Sequence, residues 1–412
     1  MHLLIWFFIY LLAAIGHMGI WVFLFNQFHG TNLNNRLVRR GSYPFFGFGI
    51  LILPPVLYFC GTGGRNSIQL FPGHLAELEG VFGGYVWCCL GVFCLFTVIW
   101  GFRQASRLRP PACLLSQRTT RHDFSETASH AVLSGLENWL VGLPGNQVYQ
   151  AVVEEREILL SQAAADLDGL TMTHLSDFHF TGKISREYFD NVIEVANGLE
   201  SDVVVITGDV IDSRHCWSWL EQVLGRLRAP RGIFYILGNH DQRVKEESRL
   251  RNALDSLGFI GVANRWSGFE IGNQRVHIAG NELPWFGKRM EISRTPENFR
   301  PGDLRILLSH SPDQWRWGRA TGFDLTLAGH THGGQIRLPV IGPVVTPSRH
   351  GVKYASGVFE KVQQTLVVSR GISGEEPIRF NCPPEVGKII IRTRANDSSE
   401  LSDQKPVGTR GR

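Results

Sequence analysis

The apolar residues of this chain are distributed in two different patterns, with a boundary near residue 102. Before that boundary lie three nearly continuous apolar blocks, at 5–25, 43–60 and 81–102. Each block is close to the ~20 residues that an α-helix needs to cross ~30 Å of hydrocarbon. The pattern therefore predicts an N-terminal helical transmembrane region, 1–102, with about three spans.

Two of these blocks have an alternative interpretation. Pro54 and Pro55 interrupt the second block and would kink or end a helix there, so a chain with two spans is the alternative to three. A secretory signal is the alternative for the first block. Against it, no Lys or Arg occurs in 1–4 and no small-residue cleavage site follows the block.

A change of composition follows the third block. Residues 103–147 are rich in Arg, Ser and Thr and contain Pro110 and Pro111, which predicts a basic linker. Within it, apolar residues recur at helical spacing: Val132, Leu133, Leu136, Trp139, Leu140 and Leu143. This spacing predicts a short amphipathic helix, which either packs on the following domain or lies with its apolar face in a membrane interface.

The second pattern, short apolar runs that alternate with amphipathic segments, occupies 148–394. We predict strands at 148–160, 170–175, 203–206, 233–237, 276–279, 306–308, 325–328, 366–369 and 388–392. Helices are predicted at 185–199, 216–227 and 246–257. Such alternation is typical of a layered α/β domain. The polar residues 395–412 are predicted to be a disordered tail.

Arginines are concentrated in two of the segments that flank the apolar blocks. They are Arg36, Arg39 and Arg40 after the first block, and Arg103, Arg107, Arg109, Arg118 and Arg121 after the third. Because basic loops face the cytoplasm, we expect a multi-pass protein of the inner membrane with everything after residue 102 in the cytoplasm.

The charge and the cysteines agree with that location. The formal net charge of +4 is modest and belongs largely to these arginines, which favours membrane lipids over nucleic acid as a partner. The seven cysteines show no paired spacing and so predict no disulfide framework.

Titratable and amide side chains follow five of the predicted strands. They are Asp177 and His179 after 170–175, Asp209 and Asp212 after 203–206, Asn239 and His240 after 233–237, His310 after 306–308, and His330 and His332 after 325–328. The carboxyl ends of strands in open α/β sheets are where ligands bind. These side chains are therefore the candidate functional site.

The spacing within the pairs fits metal binding. In extended chain, residues i and i+2 point the same way, so Asp177 with His179, and His330 with His332, can each present two ligands to one place. Even seven of these nine side chains are too many nitrogen and oxygen ligands for one ion. They suit two divalent ions that share a carboxylate, an arrangement that activates water for attack on phosphorus. The absence of thiolates among them favours Mn, Fe or Zn.

These motifs resemble those of a known family. The set DxH, GDxxD, GNHD, a single His and GHTH resembles the calcineurin-like metallophosphoesterases. The segments AGHTHGGQIRLP, SRGIS and RFNCPPEVGKIII are similar to its membrane-associated YkuE-type branch, which includes proteins described as UDP-2,3-diacylglucosamine pyrophosphohydrolases. The resemblance covers about 170–394 and implies a four-layer α/β/β/α sandwich as the fold of 148–394.

The resemblance also implies a role for each site residue. Asp177, His179 and His332 would hold one metal, and Asn239, His310 and His330 the other. Asp209 would bridge them. His240 would donate a proton to the leaving-group oxygen, and Asp212 would orient it.

The expected function is therefore that of a membrane-anchored, dinuclear metal-dependent hydrolase of a phosphoester or pyrophosphate bond. Membrane tethering favours a lipid-linked substrate such as UDP-2,3-diacylglucosamine, which belongs to lipid A biosynthesis. The alternative enzyme is a general phosphodiesterase or phosphatase for soluble nucleotides or phospholipids. A non-enzymatic scaffold is disfavoured because none of the seven ligands is missing. A transporter is disfavoured because His17 is the single ionisable residue well inside a block.

Overall fold

The computed structural model of the protein describes residues 2–29, 41, 44–56, 80–107, 109–128, 135–286, 296, 298–362 and 364–394. The predicted tail at 395–412 lies outside these residues, as do Val132 and Leu133 of the predicted amphipathic helix and 57–60 of the second apolar block.

The N-terminal region is helical. Its helices are α1 (His2–His29), α2 (Pro44–Val56) and α3 (Gly80–Arg107). By length and composition, α1 and α3 are able to cross a membrane, through Phe7–Phe28 and Gly83–Ala105. Helix α2 is shorter than a span, but 57–60 of the second block lie outside the described residues, so a second crossing stays a prediction. Pro54 and Pro55 lie in its last turn, where the sequence predicts an interruption.

The apolar side chains of α1 and α3 point mostly outward. Only 22% of the Phe7–Phe28 stretch and 11% of the Gly83–Ala105 stretch are buried within the protein. Phe7, Trp87 and Leu95 are each more than half exposed. A core helix of a soluble domain buries its apolar side chains, so this exposure favours a lipid environment.

Close contacts join α1 to α3. Gly16 and Gly19 lie against Cys89 and Phe96 of α3, where a Cβ on either glycine would overlap its neighbour. Small residues at such a crossing let helix backbones approach closely. His17 lies within the same interface, with its Nδ1 2.7 Å from the hydroxyl of Tyr85. The histidine well inside the first apolar block thus contacts α3.

Two mixed sheets form the body of the domain. Their strands are β1 (Leu114–Asp123), β2 (Gln150–Leu159), β3 (Thr171–Leu175), β4 (Val203–Thr207), β5 (Ile233–Ile236), β6 (Ile260–Gly261), β7 (Trp266–Ile271), β8 (Gln274–Asn281), β9 (Leu304–Ser309), β10 (Leu325–Ala328), β13 (Gly357–Lys361), β14 (Gln364–Val368) and β15 (Glu385–Arg392). The first sheet has the strand order β1-β2-β15-β3-β4-β5-β6, and the second has the order β13-β14-β10-β9-β8-β7. A small separate hairpin consists of β11 (Arg337–Leu338) and β12 (Gly342–Pro343).

The helices of the domain are short. They are α4 (Gly135–Val141), α5 (Arg186–Gly198), α6 (Trp219–Gln222), α7 (Glu247–Ser256) and α8 (Trp315–Ala320). The predicted helix at 216–227 is reduced to α6 with short 3-10 turns on either side.

Alternation along the strands separates two cores. Val203 and Val205 of β4 pack with Ile306 of β9 in the core between the sheets. Val204 and Ile206 face the other way, into a core shared with α5, α6 and α7. Trp315 of α8 covers the outer face of the second sheet. The layers are therefore helices, sheet, sheet and helix, which confirms the predicted α/β/β/α sandwich.

The first sheet begins earlier than predicted. Strand β1 lies inside 103–147, the segment predicted as a linker, and pairs antiparallel with β2 along its length. It is an edge strand whose residues are almost all exposed or half-buried. A strand with both faces polar has no period-2 apolar signal, which explains why the sequence predicts a linker there. The predicted amphipathic helix corresponds to α4, in which Leu136 and Trp139 are 66% and 61% exposed.

A buried ion network joins the two sheets. Glu385 of β15 lies 2.7 Å from both Arg156 of β2 and Arg370, which follows β14, and Arg370 lies 2.6 Å from Glu154. Burial alone would raise the pKa of Glu385, but the two guanidinium groups lower it to about 2. Glu385 is thus held ionised in the interior by two arginines.

We expect Glu385→Ala to lower the free energy of unfolding by about 3–5 kcal/mol, because it removes the nearest counter-charge of the buried Arg156 and leaves Arg370 with Glu154 alone. The pKa of Glu385 is depressed, so its contribution is fully present above the unfolded value near 4.5 and is lost as pH falls from there toward about 2. Denaturant unfolding of the detergent-solubilised protein across this pH range measures the difference. Glu155→Ala is the matched control, since Glu155 forms a half-exposed 3.8 Å pair with Lys388 between the same strands. Equal losses in the two variants would contradict the role of the network.

Candidate metal centre

The candidate site lies where the two sheets meet at the carboxyl ends of five strands. Strands β3, β4 and β5 run parallel in the first sheet, and β9 and β10 run parallel in the second. Each ends directly before one of the polar motifs. Because parallel strands end at the same edge, residues distant in sequence are brought to one place.

The backbone turns sharply at these strand ends. Five site residues have φ in the left-handed region: Asp177 (54°), His179 (45°), Asp209 (54°), His330 (69°) and His332 (50°). This conformation is unfavourable for residues other than glycine and persists where the surrounding structure enforces it, commonly at functional sites. Its effect here is to direct the side chains inward.

One group of ligand atoms consists of Asp177, His179, Asp209 and His332, whose atoms lie within 4.8 Å of one another. His179 Nε2 is 3.2 Å from His332 Nε2 and 3.6 Å from Asp209 Oδ2. His332 Nε2 is 3.6 Å from Asp177 Oδ1. These are the residues predicted for the first metal together with the predicted bridge.

A second group consists of Asp209, His310 and His330. His310 Nε2 lies 3.1 Å from Asp209 Oδ2, 3.2 Å from His330 Nδ1 and 3.0 Å from Asn239 Oδ1. The structure therefore brings all seven predicted ligands together. Asp209 belongs to both groups, so its carboxylate lies between them.

The donor atoms fit a pair of divalent cations. Asp209 Oδ1 accepts a hydrogen bond from the backbone N–H of His240, whereas Asp209 Oδ2 is buried and has no donor when Nε2 of His310, 3.1 Å away, keeps its lone pair for a metal. A buried carboxylate oxygen without a donor is costly unless a cation compensates it. Imidazole, carboxylate and amide donors suit Mn, Fe or Zn.

Hydrogen bonds at the outer ring nitrogens orient three of the histidines. Nδ1 of His179 lies 2.7 Å from Asp212, Nδ1 of His310 lies 2.7 Å from the carbonyl of Thr207, and Nδ1 of His332 lies 3.1 Å from the carbonyl of Ser373. When Nδ1–H donates to such an acceptor, Nε2 keeps its lone pair and faces the centre. Each imidazole is thereby prepared for metal ligation.

Two glycines allow the carboxylates their positions. A Cβ on Gly238 would overlap Asp209 Oδ1, and a Cβ on Gly329 would overlap Ser176 and Asp177. Only a residue without a side chain permits this approach. The glycine before Asn239 and the glycine before His330 are therefore part of the site.

The histidines differ in their affinity for protons when no metal is bound. Burial lowers the pKa of His330 and of His332 to about 3, so both are neutral at pH 7. Burial would also lower the pKa of His179 and His310, but Asp212 for the first and Asp209 for the second raise it to about 9. Burial opposes ionisation of Asp209, yet the charge of His310 beside it keeps its pKa well below the usual range. When no metal is bound, the protonated rings of His179 and His310 therefore supply positive charge beside the buried carboxylates.

Asp212 connects the first ligand group to His240. Its Oδ2 faces His179, and its Oδ1 lies 2.5 Å from Nδ1 of His240. Burial would raise the pKa of Asp212, but His240 and His179 hold it far below the usual range. Asp212 therefore orients His240, as predicted, and also a predicted metal ligand, which the sequence did not indicate.

Arg243 is a further residue at His240 that sequence reasoning missed. Its guanidinium donates to Asp212 Oδ1 at 2.9 Å and lies 3.3 Å from Nε2 of His240. Since arginine only donates, His240 Nε2 accepts in this arrangement, and Nδ1–H points to Asp212. Arg243 also pairs with Glu375 at 3.1 Å.

Asp241 and Trp285 were also missed as parts of the site. Asp241 is buried and accepts backbone hydrogen bonds from Asp209, Val210, Ile211 and Gly238, and thus fixes the loop that carries Asp209. Burial and the charge of Asp209 raise the pKa of Asp241 to about 7.

The ring of Trp285 lies 4.8 Å from that of His330 and 5.3 Å from that of His310, and forms one wall beside the second ligand group.

Arg379 supports the first ligand group from behind. It is 1% exposed, and its guanidinium donates to the carbonyls of His332 and Arg370 at 3.0 and 2.8 Å and to that of Ser373. Burial lowers its pKa. The carbonyl of Ser373 is also the acceptor for Nδ1 of His332. Arg379 therefore fixes both the backbone and the ring of one predicted ligand.

Comparison with known proteins places the site in context. Residues 170–334 match the model of the calcineurin-like phosphoesterase family. The chain is 30% identical to the uncharacterized metallophosphoesterase YkuE of Bacillus subtilis over 244 residues. This aligned region covers 58% of this chain and 85% of YkuE. It is 27% identical to the UDP-2,3-diacylglucosamine pyrophosphatase LpxG of Chlamydia muridarum, over 55% of this chain and 85% of LpxG. It is 26% identical to a transmembrane protein with metallophosphoesterase domain of Bos taurus, over 77% of this chain and 76% of that protein.

We expect Arg379→Met to weaken metal binding by about 10–100-fold, because loss of a group that orients a ligand typically costs that much. Calorimetric titration of the metal-stripped protein with Mn measures the affinity. Arg392→Met removes the same charge from β15, where Arg392 pairs with Glu157 at 2.8 Å outside the site, and should leave the affinity unchanged. Wild-type affinity in Arg379→Met would contradict the role of Arg379.

Proposed function

We propose a specific hydrolytic function from one premise: this chain belongs to the calcineurin-like phosphoesterases. As a member of that family it is a hydrolase, and its two helices of spanning length, together with the relative named as a transmembrane protein, support membrane association. Our proposal is that it hydrolyses a phosphoester or pyrophosphate bond of an amphiphilic, lipid-linked substrate at a centre of two divalent metal ions.

One observation carries the dinuclear centre: the carboxylate of Asp209 belongs to both groups of ligand atoms. Asp177, His179 and His332 would hold one ion, Asn239, His310 and His330 the other, and Asp209 would contact both. Two such ions would polarise the phosphoryl group and lower the pKa of the attacking water. The chain's own contribution is to hold these side chains in place before the substrate arrives.

His240 would supply the proton that the leaving oxygen requires. Its Nδ1–H is fixed by Asp212, and its half-buried ring lies beside the first ligand group, with its centroid 4.5 Å from that of His179. In the structure Nε2 accepts from Arg243 and carries no proton, so donation from this atom requires that Arg243 turn toward the substrate and that Nε2 first take up a proton from solvent. Arg243 would then be able to contact a phosphate oxygen, for which a guanidinium is well suited.

The proposed substrate class follows from the membrane helices and from one relative. LpxG acts, by its name, on UDP-2,3-diacylglucosamine, which carries a pyrophosphate and two acyl chains. A site next to a bilayer suits such a molecule, because its chains remain in lipid while its phosphates reach the metal centre. The arginine distribution supports a multi-pass protein of the inner membrane with this domain in the cytoplasm.

The substrate proposal is tested with the purified full chain loaded with Mn, Fe or Zn. UDP-2,3-diacylglucosamine and phospholipids in mixed micelles should be hydrolysed faster than soluble nucleotides, and Asp209→Asn, which removes the bridging charge, should abolish every activity. Ready turnover of soluble nucleotides with none of the lipids would favour the general phosphodiesterase instead. A scaffold would be indicated by no turnover at all together with an unchanged cellular phenotype in Asp209→Ala.

We expect His240→Ala to keep both metals and to lose about 10²–10⁴-fold in turnover of substrates with poor leaving groups, the usual contribution of a general acid. With a nitrophenyl ester, whose leaving oxygen needs no proton, the loss should be much smaller. Asp212→Asn provides the contrast, since it also weakens the support of His179 and should lower the metal content. An equal loss on both substrate types would remove His240 from the acid role.

A further inference from the structure

An apolar hairpin follows the last predicted metal ligand directly. Four residues after His332, the chain enters 336–345, which contains β11 and β12 and which we call the 336–345 hairpin. Its large apolar side chains are exposed rather than packed: Ile336 (43%), Leu338 (45%), Val340 (78%), Ile341 (51%) and Val345 (40%). So many adjacent exposed apolar side chains are unusual on a water-facing surface and mark an interaction site.

This hairpin is attached to the ends of the two apolar helices. Gln104 of α3 donates to the carbonyl of Val340 at 2.6 Å. Asn26 of α1 donates to the carbonyl of Val344 at 3.3 Å and accepts from the backbone N–H of Thr346 at 3.1 Å. The apolar stretches of these helices end at Phe28 and Ala105. The hairpin therefore lies at the depth where the membrane-crossing stretches end.

Positive charge surrounds the same point. Arg103 precedes Gln104, Arg349 offers its carbonyl to Gln27 at 2.8 Å, and Lys353 follows shortly after; all three cationic residues are exposed. Lysine and arginine at the end of a membrane span interact favourably with anionic lipid headgroups. An apolar tip bordered by cations is the composition expected of a segment that lies in a lipid interface.

We propose that the 336–345 hairpin inserts its apolar side chains into the lipid bilayer beside α1 and α3, and so holds the metal centre against the membrane surface. The link to the centre is short. Arg337 of the hairpin donates to the carbonyl of Gly333 at 2.7 Å, and its backbone N–H donates to the carbonyl of Phe380, next to Arg379. The hairpin and His332 are thus parts of one hydrogen-bonded unit.

The inference depends on membrane association of the chain but not on the reaction it catalyses. A position for comparison is available at the far end of the second sheet. Val362, in the turn between β13 and β14, is 79% exposed and has a left-handed φ of 50°, and Val340 is 78% exposed with a φ of 67°. Strand β14 runs parallel to β10, so this turn lies at the end of the sheet opposite to the metal centre. The two valines match in chemistry and exposure and differ in their distance from α1 and α3.

The test uses the full chain in liposomes of phosphatidylcholine and phosphatidylglycerol. The photoreactive residue p-benzoylphenylalanine is placed at the position of Val340, of Ile341 or of Val362, and lipid adducts are quantified by mass spectrometry after illumination. We expect several-fold more lipid adduct from 340 and 341 than from 362. Adduct levels at both hairpin positions no higher than at 362 would overturn the proposal.

Hydrolysis of soluble bis(p-nitrophenyl) phosphate by each labelled protein shows that the metal centre is folded. If no protein, wild type included, hydrolyses this ester or any lipid substrate, the proposed function fails, while the adduct ratio still decides whether the hairpin lies in lipid. If hydrolysis is normal and the adduct ratio is one, the hairpin proposal fails alone. Should one hairpin position prevent folding, the other gives the result.

Discussion

The buried carboxylate pair formed by Asp177 and Asp209 is the constraint on which the rest of the site depends. Both side chains are fully buried at the meeting point of the two sheets. Two negative charges in such a place destabilise a fold unless positive charge and hydrogen-bond donors surround them. The structure provides the donors: the backbone N–H of His330 for Asp177 and that of His240 for Asp209. It provides positive charge from His179 and His310 when no metal is present.

Elements remote from the site stabilise this unfavourable arrangement. Left-handed backbone at the strand ends, close approach at Gly238 and Gly329, and the buried Arg379 all require a rigid frame. The two sheets supply it through the apolar core between them and through the network of Glu385, Arg156 and Arg370 that crosses from one sheet to the other. Stability and function are therefore coupled, since the same strands that bury the core also end in the ligands.

The sequence was most informative where chemistry and a local period coincide. Asp177 and His179 lie in one ligand group, as their spacing of two predicts, although their backbone is left-handed rather than extended. For His330 and His332 the same prediction was wrong, because these two histidines belong to different ligand groups. It was least informative where a residue acts across the fold. Arg379 begins the segment RFNCPPEVGKIII and Asp241 ends the motif GNHD, yet neither motif indicates that Arg379 supports His332 and that Asp241 supports the Asp209 loop, because these contacts depend on how loops pack. Strand β1 was missed since both its faces are polar, and the second span stays a prediction, because 57–60 of that block lie outside the described residues.

Membrane attachment and the metal centre are joined by geometry as well as by sequence order. Helices α1 and α3 end against the 336–345 hairpin. Arg337 of the hairpin is hydrogen-bonded to the carbonyls of Gly333 and of Phe380, the residue next to Arg379. A catalytic domain tethered only by a flexible linker would sample all orientations relative to a bilayer. Direct hydrogen bonds from the helix ends to a segment that begins four residues after His332 restrict that freedom. If the hairpin lies in the bilayer as proposed, the metal centre is held near the lipid surface, and this restriction would reduce the orientational cost of binding an amphiphilic substrate.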